Sequence, residues 1–386
     1  MLKALSMPIT RFRGWSLSPA ADGFWRRVGV GAWVVLIVAV CVFALMKPGK
    51  RSVSTVYWTA AQQWWAGEDM YGSKELSHEG YHGFLYFPQA AVLSSPLAFL
   101  PLGAAEAAWR AINLGVLAWG FWRLAALVAR HSFGGPGLWF GLSTLLGIPT
   151  LLGSAQNGQF NIIITGLMAH AAVELFHGRH WRTAALLALG IALKPHVIVF
   201  ALLACALFPR LTPRVALACL AAFAIGFLHP SPAYAWSQHE SFILKMRVAS
   251  RPPPGTNQDL VGLLYTLGLN PPLIFWWALR GLAAVGTLGL CLLARKGFGP
   301  DDRGRLATLV STLTLAILYI IIFNPRTEGP TYAILAVPVG FFAARELLVP
   351  IRPWAIMLTL LAILLGISHE LVGPANPWVR PSLAIV

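Results

Sequence analysis

Negative charge is scarce in this sequence. Only 14 of 386 residues are Asp or Glu, and charged residues of both signs make up 11% of the chain. Soluble domains carry about 25% charged residues, so an ordinary water-soluble globule is excluded. Cysteine is also sparse. Cys41, Cys205, Cys219 and Cys291 each lie inside an apolar run with no paired spacing, which excludes a disulfide framework and a thiolate metal centre. They read as small packing residues. There is no Walker-type glycine-rich phosphate loop, no HExxH, no CxxC and no G-x-S-x-G. P-loop, zincin, thiol-redox and serine-hydrolase chemistries are therefore not indicated, and neither a metal nor a cofactor is expected.

What is present is apolar. Hydrophobic residues make up 57% of the chain and the mean hydropathy is +0.67. The expectation is an all-α polytopic membrane protein. The 29 Lys+Arg then mark cytoplasmic loops and contacts with anionic membrane lipid rather than nucleic acid. Runs of about 20 apolar residues, oriented by flanking Lys and Arg, give about eleven spans. A cytoplasmic segment 1–27 carries Lys3, Arg11, Arg13, Arg26 and Arg27. With no small-x-small cleavage site, the run 28–46 reads as a retained first span.

Two external loops, about 47–85 and 229–270, interrupt a single transmembrane domain over 28–372, followed by an external tail at 373–386. In the first loop, Tyr57, Trp58, Ala61, Trp64 and Trp65 share a helical stripe, the pattern of a helix lying in the membrane interface. Trp64, Trp65, Trp236, Trp276 and Trp277 read as interfacial belt residues. The stretch 86–100, with three prolines at or near it, reads as a short dipping helix. Further spans fall at 105–130, 138–152, 160–176, 181–194, 196–209, 215–228, 275–294, 306–323, 331–344 and 354–367.

The chain is organised around the run WRTAALLALGIALKPHVIVFALLACALFP at 181–209. Lys194 interrupts an apolar crossing at a cost of roughly 2.5–3.5 kcal/mol on insertion scales. Pro195 removes a backbone donor and disfavours helix at the residue before it. Two adjacent penalties mark a helix broken on purpose, and a cation fixed there calls for an anion. Lys194 with His196 and Arg326 are the candidate phosphate ligands, because a guanidinium fork grips phosphate oxygens bidentately. Gln156, Asn157, Gln159 and Asn161 open a span whose first-turn N–H groups suit a phosphate or sugar hydroxyls. External carboxylates are few, and Asp259, Glu328 and Asp69 are the candidates for a base. Lys194, the amide turn, the 257–259 stretch and 324–328 all fall on the external side of the span scheme.

With these residues in view, the chain resembles glycosyltransferase family 87, integral-membrane enzymes of the GT-C fold that include polyprenol-phosphate-mannose-dependent mannosyltransferases. VYWTAAQQWWAGEDMY and FLYFPQAAVLSSPLAFLP look like the family's first-loop pattern. GQFN at 158–161 resembles its Gly-Gln-x-Asn turn, and ALGIALKPHVIVF at 188–200 its Leu-Lys-Pro segment. NQDLVGLL and NPRTEGPTYAILAVP are similar to its later motifs.

The resemblance implies an inverting transfer of a hexose, mannose in those relatives, from a polyprenyl-phosphate donor to a lipid or glycan acceptor outside the cytoplasmic membrane, without a metal. Lys194, with Arg326 or His196, would hold the departing phosphate; Gln159 and Asn161 would shape the turn beside it; Tyr57 and Asn257 would contact substrate. One departure matters. The family usually places an aspartate just before the first-loop helix, where this chain reads Arg51-Ser52-Val53-Ser54-Thr55. Either the base has moved, or the substrate differs, or this member is inactive. A transporter or flippase of lipid-linked anions is the competing reading, since it too needs cations at broken helices. A purely structural subunit would leave Lys194-Pro195 and the amide turn without a purpose.

Overall fold

A computed structural model describes residues 18–72, 83–249, 260–324, 326–348 and 353–372. Among the described residues every regular element is helical. In chain order these are α1 (Pro19–Met46), α2 (Ser54–Ala66), α3 (Pro88–Ala98), α4 (Leu102–His131), α5 (Pro136–Asn157), α6 (Asn161–Phe176) and α7 (His180–Leu193). A 3-10 turn (Pro195–Val197) leads into α8 (Ile198–Leu207), followed by α9 (Thr212–Ile225), α10 (Pro232–Ala249), α11 (Leu260–Thr266) and α12 (Leu273–Phe298). The last described elements are α13 (Asp302–Phe323), a 3-10 segment (Gly329–Leu335), α14 (Ala336–Leu348) and α15 (Pro353–Val372).

Among the described residues six helices are long and apolar enough to cross a membrane: α1, α4, α5, α12, α13 and the segment Gly329–Leu348. Four shorter apolar helices accompany them. The protein is an all-α polytopic membrane protein, as its composition requires.

The core is α6, every residue of which is buried. It is apolar all round, as a helix enclosed by others must be, and it packs against α4, α7, α13 and the 3-10 segment Gly329–Leu335. The approach of α4 and α6 is close: a Cβ added at Gly166 would stand 2.9 Å from the Leu117 backbone nitrogen. Small residues at a crossing let two backbones meet and so replace the hydrophobic drive that lipid cannot supply. On the outside, α12 buries only Trp276 and Cys291.

The two ends of the bundle differ in chemistry. At one end the Arg305 guanidinium donates to the Leu175 carbonyl (2.9 Å), and that of Arg295 donates to the Leu207 carbonyl. These contacts place the C-terminal ends of α6, α8 and α12 beside the start of α13. Lys194 lies at the other end, at the tip of a broken hairpin of α7 and α8.

Several boundaries differ from the sequence expectation. Helix α1 begins at Pro19, where Ser18 caps it by accepting from the Ala21 N–H (3.2 Å) and proline occupies the first turn. Helix α5 runs on to Asn157, so Gln156 and Asn157 close one helix instead of opening the next. The stripe on α2 turns inward: Tyr57, Trp58, Ala61 and Trp64 are buried, with Trp65 exposed. Trp276 is buried as well, whereas Trp236 and Trp277 are exposed. The second loop contains the 18-residue α10, started by Pro232. It is tied to the first loop by Met70 N–H donating to Gln238 Oε1 (3.1 Å) and Tyr234 O–H to the Glu68 carbonyl (2.6 Å).

Candidate active site

The site is built from the helix break. After α7 the backbone at Lys194 is extended (φ −151°, ψ 119°), and its N–H still donates to the Gly190 carbonyl (2.8 Å). Pro195 then starts the 3-10 turn, as a residue without an N–H can. The lysine side chain is 8% exposed, and its Nζ donates to Asn161 Oδ1 at 2.6 Å.

Asn161 begins a relay. Its Nδ2 donates to Gln159 Oε1 (2.5 Å) and to the Pro330 carbonyl (3.0 Å). Gln159 Nε2 donates to Glu328 Oε2 (3.1 Å), and Glu328 Oε1 accepts from Arg326 Nη2 (3.3 Å). The amides of the GQFN turn thus connect a cation, Lys194, to a carboxylate–guanidinium pair. An amide can do this because it donates at one end and accepts at the other. Glu328 is also the N-cap of the 3-10 segment, forming a capping box with Thr331, and its side chain remains 40% exposed.

The backbone of that turn is held from behind. Gly158 closes α5 in the left-handed region (φ +70°) and lies so close to Ser54 that an added Cβ would meet its Oγ at 2.9 Å. Trp109 Nε1 donates to the Gly158 carbonyl (2.7 Å), and Arg110 donates to the Gln156 carbonyl through Nη2 (2.7 Å) and Nε (3.2 Å). Val53 N–H donates to the Asn157 carbonyl (2.8 Å). From α4, Asn113 Oδ1 accepts from the Ile163 N–H (3.2 Å), satisfying one orphan donor of the first turn of α6.

A cavity of about 440 Å³ opens over these groups. Its polar wall is Lys194, His196, Arg280, Arg326, Glu328 and Gln159, with Asn324 and Tyr86 beside them. Its apolar wall includes Ile198, Val199, Met246, Tyr319 and Phe323. Asn324 Nδ2 donates to His196 Nε2 (2.9 Å), which makes that ring nitrogen the acceptor and puts the proton on Nδ1. Tyr86, outside the spanning helices, has its phenol pushed up to about 12, chiefly by burial. It therefore faces the cavity as a protonated hydroxyl, a hydrogen-bond donor at neutral pH.

The cavity gathers some of the expected residues and leaves others out. Lys194, His196, Arg326, Glu328 and Gln159 line it, and Asn161 stands directly behind Lys194. Tyr57 is one layer back, fully buried, stacked on Phe160 (4.1 Å between ring centroids) with its hydroxyl 3.3 Å from that of Tyr86. It supports the wall and does not line it. Gln156 contributes its carbonyl to Arg110, and Asn157 Oδ1 accepts from the Gln159 N–H (3.2 Å). The two residues end α5 and shape the turn, Asn157 through its side chain and Gln156 through its backbone carbonyl, and neither lines the cavity. Asp69 is exposed and is used in a local turn, its Oδ1 accepting from the Tyr71 N–H (2.9 Å). It does not line the cavity. Asp259 and Asn257 lie outside the described residues.

Two residues escaped the sequence reading. Arg280, inside the apolar run of α12, reaches the cavity with its Nε donating to the Phe323 carbonyl at the C-terminal end of α13 (2.9 Å), and the Tyr319 hydroxyl bonds its own carbonyl (3.2 Å). Its signal was a lone arginine in a membrane run, the kind that marks function. Arg110 is 1% exposed and lies 3.7 Å from Glu106 Oε2, one turn earlier on α4. Its signal was an i,i+4 ion pair at membrane depth. Glu106 also accepts from the Gly49 N–H (3.1 Å) and from Ser54 Oγ (3.5 Å). A buried carboxylate therefore stands beside the start of α2, close in space to the serines that occupy the place of the expected aspartate.

The fold and the cavity define a polytopic membrane protein with a cationic, half-apolar pocket at one end of its helix bundle. The family model for glycosyltransferase family 87 matches residues 84–320, more than half of the chain, and the protein belongs to that family. Among curated relatives it is 33% identical over 287 residues to a polyprenol-phosphate-mannose-dependent alpha-(1-2)-phosphatidylinositol mannoside mannosyltransferase of Mycobacterium tuberculosis. The aligned region is 63% of this chain, and the chain spans 64% of that relative's length. The match covers the GQFN turn, Lys194 and Arg280; Arg326 and Glu328 follow just beyond its end.

Proposed function

We propose that this protein is a membrane glycosyltransferase that moves a hexose, mannose by analogy with its relative, from a polyprenyl-phosphate donor to a lipid or glycan acceptor at the extracytoplasmic face. The observation that carries the reading is the composition of one cavity, lined by Lys194, Arg280 and Arg326 and by apolar side chains from α8, α10 and α13. A phosphate joined to an isoprenoid chain has these two chemistries in one molecule.

In this reading the acceptor oxygen attacks the anomeric carbon from the side opposite the phosphate, so configuration inverts. A carbon–oxygen bond forms, the bond to the phosphate oxygen breaks with its electron pair staying on the phosphate, and the acceptor proton passes to Glu328. The leaving group gains a negative charge. Cations fixed around it favour the transition state over the ground state, the form of stabilisation that accelerates chemistry. Gln159 and Asn161 hold Lys194 and Glu328 in register, so that cation and base are positioned before substrate arrives. The excess of arginines at the opposite end of the bundle supports placing that end in the cytoplasm.

The test is donor dependence. Purified full-length protein should transfer sugar from a polyprenyl-phosphate hexose and release polyprenyl phosphate. Transfer from a water-soluble nucleotide sugar, with the lipid-linked donor inert, would overturn the reading.

A further inference from the structure

A second cavity, of about 340 Å³, lies at the opposite end of the bundle. It is formed where α4 ends, α5 begins, α12 meets α13, and α14 ends. Its charged residues are Arg303 and Arg345, with His131, Ser132 and Ser311 beside them. The rest of its wall is apolar and largely aromatic, including Phe133, Trp139, Phe298 and Phe341. Residues of α13 line both cavities, and Ser311 in this one is about 12 Å along the helix axis from Tyr319 in the other. Nothing in the proposed transfer uses it.

Its charge balance is positive. Among the described residues the Arg303 side chain makes no hydrogen bond or ion pair. Arg345 reaches Glu346 only at 3.9 Å, with its own side chain 59% exposed, a pairing of little strength. Of the carboxylates near them in sequence, Asp301 is occupied in capping α13, its Oδ1 accepting from the Gly304 N–H (2.9 Å). Asp302 is exposed. Phe133 and Phe298 are 38% and 47% exposed, so the aromatic wall runs out from the pocket onto the surface of the bundle. Arginines and exposed aromatic surface lining one cavity form the profile of a headgroup site between membrane helices.

We propose that this cavity binds an anionic glycerophospholipid of the facing leaflet, with Arg303 and Arg345 on its phosphate and the aromatic wall along the start of its acyl chains. A free phosphate would satisfy the arginines but leave the aromatic wall unused. The proposal does not depend on the transferase reading, because binding can be measured without catalysis.

The test is thermal unfolding of the detergent-solubilised full-length protein, titrated in separate arms with phosphatidylglycerol, phosphatidylcholine and inorganic phosphate. Phosphatidylglycerol should raise Tm at a mole fraction where phosphatidylcholine and millimolar phosphate do not. In the variant Arg303→Gln/Arg345→Gln the half-saturating mole fraction should rise roughly thirtyfold, from two juxtamembrane arginine contributions. Ala307→Phe, which keeps both charges and fills the cavity from α13, should also abolish the response, and it decides the matter if the double variant does not fold. An undiminished response in either folded variant would overturn the proposal. So would an equal shift from phosphatidylcholine, or a full shift from inorganic phosphate alone.

Discussion

Replacing Lys194 with methionine keeps an unbranched side chain of similar length and removes the charge together with its hydrogen-bond donor. In the proposed transfer the leaving phosphate gains one unit of negative charge. A full charge at about 4 Å from the ammonium, in surroundings of effective dielectric about 20, interacts by roughly 4 kcal/mol. With the bond about half broken in the transition state, about 2 kcal/mol of that is differential, or roughly a 30-fold loss of kcat. The remaining cations, Arg280 and Arg326, line the same cavity and keep the loss from being larger. The same substitution leaves Asn161 Oδ1 without its donor, which should cost about 1–3 kcal/mol of stability.

The two effects separate by assay. Initial rates of radiolabelled hexose transfer from a polyprenyl-phosphate donor, well below the melting temperature, report the charge; thermal unfolding reports the lost hydrogen bond. Lys194→Arg should restore part of the rate. Refutation would be a Lys194→Met protein that unfolds earlier but turns over at the wild-type rate, since the cation would then be only a structural partner for Asn161.

Other expectations follow from the same geometry. Glu328→Gln keeps the shape of the capping box and removes the proton acceptor, so kcat should fall about 10²–10⁴-fold with little change in donor affinity; a fall in donor affinity alone would assign Glu328 to positioning. Arg280→Gln should weaken donor binding about tenfold or more, as loss of a charge-assisted bond to phosphate would, and a donor KM equal to wild type would remove Arg280 from the clamp. Arg110→Met leaves Glu106 buried without its partner and should cost about 3–5 kcal/mol, read as thermal unfolding; full stability would mean that Gly49 and Ser54 suffice to hold the carboxylate. Gly158→Ala forces a Cβ into the left-handed region and against Ser54, so it should cost about 1–2 kcal/mol and disturb the Gln159–Glu328 contact.

Much of the site was legible because membrane burial makes polar residues conspicuous. A lysine followed by proline in an apolar run, and amides crowded into one turn, stand out wherever lipid penalises polarity. The break at Lys194 and the GQFN turn were therefore visible one segment at a time. The first-loop stripe misled in part. Aromatic residues at helical spacing look the same whether the stripe meets lipid or protein, and Trp64 faces protein. Gln156 and Asn157 were placed at the start of α6 because a turn composition does not say which helix it belongs to.

The sequence by itself determined the solvent, the helical class and the residues whose burial needs a reason, since each of these depends on local composition and on the cost of polar groups in hydrocarbon. Only the tertiary structure decided which of them meet. Gln159, Lys194, Arg280 and Glu328 come from four separate segments, and their convergence depends on how α4, α6, α7, α12 and α13 cross. That crossing is set by packing contacts such as the one between Gly166 and Leu117, which leave no periodic mark in a single sequence.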